Sequence, residues 1–317
     1  MIRFAVKAIL AAALVWSAAW FAAAWIIERH GNALVARSDL LTAQPGPVAG
    51  FPLSFQTTAH NVDWRSRDGR SGWQADEITL QAASFQPNRL HMQFSDQQQI
   101  RLAGLTSRLQ SADMAADATL RADLTLATAR MTLNDARLEP PLFVDRSGLA
   151  ELSLEHIEGG TYALSIRAHT LGLAAPVLEA LDPDQTLPDH LDELRLDAAL
   201  QFSAAIPAQG PLPQLISLHM KDAQLDWGAL NLGLDGQISR SDTGALDGQM
   251  ALSLQDWRPF HAMLVATGAL PPDAAMMAGL FLAAQTQSGS HAVTLPLDLR
   301  DSMLSLGPFP LVRLPLF

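Results

Sequence analysis

Acidic side chains are concentrated in one short stretch of the chain. Residues 182–193 read DPDQTLPDHLDE, and carboxylates at this density are ligands that Ca²⁺ accepts. The stretch lacks the glycine and the terminal glutamate that the hand-type calcium loop requires at fixed spacing. A solvated loop that leads into a strand accounts for the same residues, and we predict this loop without a metal ion.

A second candidate for chemistry is the tripeptide Asp242-Thr243-Gly244, which aspartic proteases carry at their active site. That reaction needs two carboxylates that share one proton. The tripeptide occurs once in this chain, so a homodimer would have to supply the second carboxylate. Because alternating apolar residues flank the tripeptide on both sides, we predict a hairpin turn there.

Other catalytic patterns are absent from the sequence. The nine histidines form neither H-x-H nor H-E-x-x-H, which zinc hydrolases require. Ser288 and Ser290 precede His291, but no G-x-S-x-G accompanies them, and no phosphate-binding or dinucleotide-binding loop is present. The sequence thus predicts no catalytic residue, no cofactor and no metal site, so that a hydrolase is the third hypothesis for the function.

The N-terminus carries the clearest targeting signal. Arg3 and Lys7 precede an uncharged run from Ala8 to Ile27, whose length at about 1.5 Å per residue matches a bilayer core of about 30 Å. The run predicts a transmembrane anchor over residues 1–30, with the N-terminus cytoplasmic and the remainder periplasmic. A cleaved signal peptide is the alternative, since Ala22 and Ala24 form an A-x-A site.

Composition limits the partners of the chain. Its 317 residues have a formal net charge of -11 and no long basic run, which argues against nucleic-acid binding. The chain has no cysteine, so neither disulfides nor thiol chemistry can contribute. Its 49% hydrophobic content is enough to form a sizeable core.

Alternation with a period of two residues dominates after the anchor, and it predicts antiparallel strands with one apolar and one polar face. In LDELRLDAALQF, residues 191–202, the apolar positions are Leu194, Leu196, Ala198, Leu200 and Phe202. RLHMQFSD, AELSLEH and TYALSIRA follow the same pattern. ATLRADLTLA is also predicted as a strand, with Leu120, Ala122, Leu124 and Leu126 on one face.

The strongest hairpin signal lies between residues 230 and 254, where two alternating segments flank a turn-rich stretch. Gly236 and Gly248 occupy apolar positions, which predicts a bulge or a close backbone approach there. The apolar face of this hairpin is the candidate site for acyl chains, and ordinary core packing is the alternative. Its residues are Leu232, Leu234, Ile238, Met250, Leu252 and Leu254.

Helices are expected in three places, and the strands around them suggest two β-rich halves. A short helix is predicted near Ala174 to Leu181, and a pair from Pro259 to about Ala269 and from Pro272 to about Gln285, each with proline in its first turn. The predicted fold class is α+β, predominantly antiparallel β, with elongated curved sheets and a few packing helices behind one N-terminal transmembrane helix. The predicted halves are residues 31–190 and 191–317.

The C-terminus reads SLGPFPLVRLPLF and ends at Phe317. It is too short for a membrane span, and prolines at 308, 310 and 315 remove ladder donors. We predict a last strand in DSMLSLG and then an extended segment that discourages further strand pairing at the sheet edge.

Two stretches resemble a bacterial envelope family known as domain of unknown function 2125. GFPLSF at residues 50–55 matches its G-[FY]-P motif, and WQADEITLQAASFQPNRLHMQF at 73–94 matches a W-x-A segment that ends near Ser-[FY]-x-Pro-Asn. The matching positions are Gly50, Phe51, Pro52, Trp73, Ala75, Ser84, Phe85, Pro87 and Asn88. The family supplies no activity to carry over.

The C-terminal third looks similar, in pattern, to the ending of AsmA-like envelope proteins. That resemblance implies a sheet with an apolar groove, anchored in the inner membrane and involved in phospholipid handling. The first hypothesis is therefore a non-enzymatic, inner-membrane-anchored periplasmic protein that binds lipid acyl chains in envelope lipid transport or homeostasis. The alternative is a structural or adaptor protein of the envelope that binds a membrane-protein partner.

Overall fold

The computed structural model describes residues 2–241, 244–268, 270, 272–286, 292–306 and 309–313. Within these residues, the chain forms four helices and seventeen strands. The helices are α1 Ile2–Arg37, α2 Ala175–Leu181, α3 Trp257–Ala266 and α4 Pro272–Gln285. The first eight strands are β1 Leu41–Pro45, β2 Ser54–Arg65, β3 Gly72–Ala83, β4 Gln86–Phe94, β5 Gln97–Leu102, β6 Leu105–Gln110, β7 Asp113–Leu120 and β8 Leu126–Glu139. The other strands are β9 Val144–Glu158, β10 Thr161–Leu173, β11 His190–Phe202, β12 Leu215–Trp227, β13 Leu230–Arg240, β14 Leu246–Leu254, β15 Val293–Arg300, β16 Met303–Leu306 and β17 Phe309–Arg313.

All of these strands belong to one antiparallel sheet, which confirms the α+β, mostly antiparallel class. Strands adjacent in sequence pair from β1 to β3 and from β8 to β17. Between them, β3 pairs with β4 along one half and with β5 along the other. β4 continues to β7 and β5 to β6, and both branches rejoin on β8. The predicted boundary between the two halves falls at the start of β11, which pairs with β10 along its length.

The strands predicted from RLHMQFSD, AELSLEH, TYALSIRA and LDELRLDAALQF are confirmed as parts of β4, β9, β10 and β11. The strand predicted from ATLRADLTLA is wrong. The chain turns between Leu120 and Leu126, where the amide of Arg121 donates to the carbonyl of Thr125, and Leu124 adopts a positive φ of 59°. The alternation of apolar and polar residues happens to continue through this turn. A period of two does not mark where one strand ends and the next begins, so the pattern did not reveal the turn.

The three predicted helices behind the anchor are present. α2 lies where the short helix was predicted, and Pro176 occupies its first turn. α3 starts earlier than predicted, because the side chain of Asp256 accepts a hydrogen bond from the amide of Arg258 and caps the helix. The predicted end of that helix, Ala269, lies outside the described residues.

Helix α1 packs against the first hairpin through its aromatic side chains. The indole nitrogen of Trp20 donates to the carbonyl of Ser54 at 3.1 Å, and its ring stacks on Phe55 with centroids 5.3 Å apart. The carboxylate of Glu28 accepts a hydrogen bond from the amide of Val48 at 2.7 Å. Where the structure describes side chains, none of the helices combines the length and apolarity needed to cross a membrane. The predicted span from Ala8 to Ile27 begins among side chains outside that description.

The main hydrophobic core lies under the C-terminal part of the sheet. Phe260 and Leu264 of α3, together with Ala278 and Leu282 of α4, pack into one cluster with residues of β11 to β16. Leu171, Leu178 and Leu181 extend this cluster to the end of β10 and to α2. Helices α2 to α4 therefore cover the apolar face at this end of the sheet.

Strand β12 contains a bulge that keeps its apolar residues on that face. Leu196 of β11 pairs with Ala223, and Ala198 pairs with Met220. Two residues of β12, Lys221 and Asp222, therefore lie opposite the single residue Asp197. The side-chain parity of β12 changes at this point. Met220 lies opposite Gly236, which has a positive φ of 139° and a backbone too close to Met250 for a side chain.

Gly248 gives a direct test of the predicted close approach in the β13–β14 hairpin. A Cβ on Gly248 would lie 2.3 Å from the carbonyl oxygen of Gln237, which is backbone and cannot move aside without breaking the ladder. We expect Gly248→Ala to lower the free energy of unfolding by about 1–3 kcal/mol. The matched control is Gly233→Ala, whose new Cβ would meet Ser253 at an ordinary 3.5 Å. Denaturant unfolding measures both, and equal losses in the two variants would contradict the assignment.

Candidate functional site

The six residues of the predicted acyl-chain site lie together on one face of the β13–β14 hairpin. Leu232 pairs with Leu254, and Leu234 pairs with Leu252. Met250 and Ile238 each lie opposite a glycine of the partner strand. The two strands of the hairpin are as the alternation predicted, and the structure adds their register.

These six residues belong to the main core. Leu254 is 2% exposed, Met250 and Leu252 are also buried, and the other three are partly buried against the same cluster. Helices α3 and α4 contact the neighbouring strands β13 and β15. An acyl chain would therefore have to displace helical side chains to reach them, and a lipid role for these six residues stays a prediction.

Beyond the helices, the same apolar face continues across the sheet as two rows of paired side chains. Each row crosses from β8 to β15 through one residue per strand. The first row consists of Met131, Leu152, Ile166, Leu196, Ala223, Leu234, Leu252 and Leu295. The second consists of Ala129, Leu154, Leu164, Ala198, Met220, Gly236, Met250 and Leu297. The predicted site is thus one end of a longer apolar surface.

We name the part of these rows on β8 to β10 the central stripe. Its residues are Ala129, Met131, Leu152, Leu154, Leu164 and Ile166. Leu152 is 39% exposed, and the other five are half-buried. Apolar side chains at this exposure, contiguous over three strands, make a surface that would gain free energy by contact with another apolar group.

The opposite face of the same strands is polar. Arg167 of β10 donates to the carboxylate of Asp197 on β11 at 2.7 Å, and Arg195 pairs with Glu193 at 2.8 Å. The side chain of Arg167 does not lie on the apolar face, because successive side chains of a strand point to opposite faces of the sheet. The two faces of the sheet therefore differ in character along β8 to β11.

The acidic stretch 182–193 is a loop that leads into β11, as predicted, but Asp182 within it is buried and not solvated. Asp182 is only 6% exposed, and its carboxylate accepts hydrogen bonds from the hydroxyl of Thr186 and the amide of Leu187. Asp192 accepts from the amide of Gly228 at 3.0 Å. Over the part of the chain that the structure describes, no three histidine or carboxylate side chains converge as a metal site would require.

Two other candidates for chemistry fall largely outside the described residues. Asp242 and Thr243 of the protease-like tripeptide lie outside them, although Ser241 and Gly244 on either side are bonded as in a tight turn. Ser288, Ser290 and His291 lie outside them as well.

The resemblance motifs converge on helix α1. Phe51 contacts the rings of Trp20 and Phe21 at centroid distances of 5.4 Å, and the indole nitrogen of Trp16 donates to the carbonyl of Pro52. Gly50 has a positive φ of 98°. Ser84 and Pro87 from the second motif line a cavity against the same helix. Sequence reasoning did not join these segments, since they meet only through the pairing of β2 with β3.

Asp189 offers a test of the acidic loop. Its carboxylate is hydrogen-bonded by His190 at 2.9 Å and by Arg146 at 2.8 Å, and these two partners lower the pKa of Asp189 to about 2. Because the pKa is depressed in the folded protein, the stabilisation is complete above the unfolded value of about 3.9 and is lost as the pH falls towards about 2.

We expect a carboxyl titration by NMR to place the Asp189 midpoint near pH 2. The change in stability between about pH 4 and pH 2 should be small, because the side chain is 62% exposed and solvent screens the pair. Asp189→Asn should reduce that change, with Asp184→Asn as the control from the same loop. A midpoint at an ordinary aspartate pKa would contradict the described contacts.

Comparison with protein families finds a match over most of the chain. A protein-family model described as an uncharacterized protein conserved in bacteria, domain of unknown function 2125, matches residues 20–315. No curated protein and no solved structure matches the chain. The likeness of the C-terminal third to AsmA-like proteins is not supported by these comparisons. Since the match extends from α1 to beyond the last described strand, the chain belongs to the domain of unknown function 2125 family.

Proposed function

We propose that this protein is a non-enzymatic, membrane-associated component of the bacterial cell envelope that binds the acyl chains of phospholipids in lipid transport or homeostasis. The observation that carries the proposal is the central stripe. It is a contiguous apolar surface beside the strands that helices α2 to α4 cover, and Leu152 within it is 39% exposed.

The geometry of the sheet favours an extended apolar ligand. Open sheets of more than about ten strands commonly curl, and we propose that the apolar face is the concave side. An acyl chain laid across the stripe would gain roughly 0.8 kcal/mol for each CH₂ group removed from water. The rows continue from the stripe to Leu234 and Met250, so the predicted site would be the covered end of the same path.

Localisation is part of the proposal. Arg3 and Lys7 before the apolar run support a single-pass inner-membrane protein with a cytoplasmic N-terminus and a periplasmic body. The side of α1 that faces away from the sheet also favours lipid, since it exposes Leu14, Val15, Phe21 and Trp25. Because Trp20 lies within the apolar run, its contact with Ser54 would place the start of β2 in the periplasmic leaflet, and the contact of Glu28 with Val48 would lie close to the bilayer surface.

The second candidate function is that of an adaptor in the envelope. The observation that favours it is the same exposed apolar side of α1, which is suited to packing against the helix of a membrane-protein partner. This function requires no lipid on the sheet. Lipid content therefore separates the two candidates.

The test is to purify the full chain in detergent and to count the phospholipid that stays bound, by mass spectrometry of an organic extract. We expect Leu152→Glu to lower the bound phospholipid by about one molecule per chain relative to the unmodified chain, because the new carboxylate would be desolvated by a bound acyl chain. Leu152 already borders solvent, so the change should leave the fold intact.

Ser153→Glu is the matched control. It adds the same charge at the next residue of β9, on the polar face opposite Arg130, and should retain the lipid. Equal lipid on both variants, or a lipid-free chain that still captures an envelope protein, would overturn the proposed function.

A further inference from the structure

An apolar cavity lies between helix α1 and the sheet, and its residues precede those of the central stripe in the chain. Its volume is about 380 Å³, within the range of about 300–1,000 Å³ typical of ligand sites. The helix supplies one wall through six side chains, and Phe55, Ser84 and Pro87 supply the other. The helical residues are Trp16, Ala19, Trp20, Ala23, Ile26 and Ile27.

The two tryptophans contribute only their apolar ring surfaces to the cavity. Trp16 and Trp20 each donate the indole N–H to a backbone carbonyl, of Pro52 and of Ser54 respectively. The lining contains no charged side chain. An ionic ligand would lose its hydration without compensation there, so the cavity suits an uncharged, mainly hydrocarbon group.

One polar atom in the lining has no partner. The hydroxyl oxygen of Ser84 is buried, and no residue that the structure describes forms a hydrogen bond with it. The amide of the same residue donates to the carbonyl of Leu53, which fixes its position. Buried hydroxyls are normally hydrogen-bonded, so a turn of the Ser84 side chain towards the cavity would let a bound group with one acceptor oxygen satisfy this hydroxyl.

The length of the cavity matches one acyl chain. Trp16 and Ile27 are eleven residues apart on α1, which corresponds to about 16 Å at a rise of about 1.5 Å per residue. Half of a bilayer core of about 30 Å, the depth that one lipid leaflet fills, is about 15 Å.

We infer that this cavity binds one acyl chain of a glycerolipid, with the ester carbonyl of that chain accepting a hydrogen bond from Ser84 Oγ. The absence of charge in the lining favours the ester over a free fatty acid, whose carboxylate would be desolvated. The inference rests on the proposed membrane association but not on the central stripe. It gives the family motif residues Ser84 and Pro87 a binding role.

The test uses the full chain in vesicles of phosphatidylethanolamine and phosphatidylglycerol that contain a trace of phosphatidylcholine with a diazirine on one acyl chain. After illumination, mass spectrometry maps the cross-linked residues. We expect cross-links to Phe55 and Pro87 on the sheet wall, which the exposed side of α1 does not include. Cross-links confined to α1 would overturn the inference.

Two variants distinguish the cavity from general contact with lipid. Ala19→Trp fills the cavity from an exposed position on α1 and should lower the cross-links to Phe55 and Pro87 at least fivefold. Ala18→Trp is the matched control, because Ala18 is an exposed neighbour that does not line the cavity. Equal labelling in the two variants, with the same unfolding midpoint, would overturn the inference.

Ser84→Ala provides a second measurement that does not depend on a bulky side chain. Loss of one hydrogen bond should lower the labelling about two- to tenfold, and Ser84→Thr, which restores a hydroxyl, should recover most of it. Unchanged labelling in Ser84→Ala would remove the assigned role of the hydroxyl. Labelling of Leu152 and Ile166 without Phe55 and Pro87 would overturn lipid binding in the cavity and support lipid binding on the central stripe. Labelling of Phe55 and Pro87 without Leu152 and Ile166 would support the cavity and overturn the central stripe.

Discussion

The register of the antiparallel pairs is the constraint on which the rest of the structure depends. Side chains alternate between the two faces of a strand, so one fixed pair sets the faces of its whole neighbour. The pairing Met131–Leu152–Ile166–Leu196 carries one apolar row over four strands, and a slip of one residue would move every member to the polar face. The bulge at Lys221 and Asp222 shows the same constraint, because it absorbs an extra residue and keeps the row continuous.

Much of this architecture is readable from local patterns. The β13–β14 hairpin, the strands β9 to β11, helix α2 and the pair α3 and α4 all follow from alternation, turn residues and proline positions. Gly236 and Gly248 were expected to permit close backbone approach, and both lie too close to a neighbouring backbone for a side chain. These features depend on residues near one another in sequence, which is why the sequence predicts them.

Features that depend on contacts between distant segments were not predictable in the same way. The turn at Leu124 is hidden by continued alternation, and the branching of β3 into β4 and β5 has no local signal. The candidate site illustrates the same limit, because alternation cannot distinguish Leu254, which is covered by helices, from Leu152, which is not. The cavity lined by Ser84 could not be predicted, because it forms only where α1 packs against two motifs that are separate in the sequence.

The order of the strands has a consequence for how the protein folds. From β8 to β17, every strand pairs with the strand before it in the chain, so each new strand can pair with the sheet edge that its predecessor has already formed. Contacts between neighbours in sequence require little loop closure, and chains rich in them fold quickly for their class. The sheet can therefore grow in one direction as the polypeptide is made, and Pro310 removes one backbone donor from β17, the last strand that the structure describes.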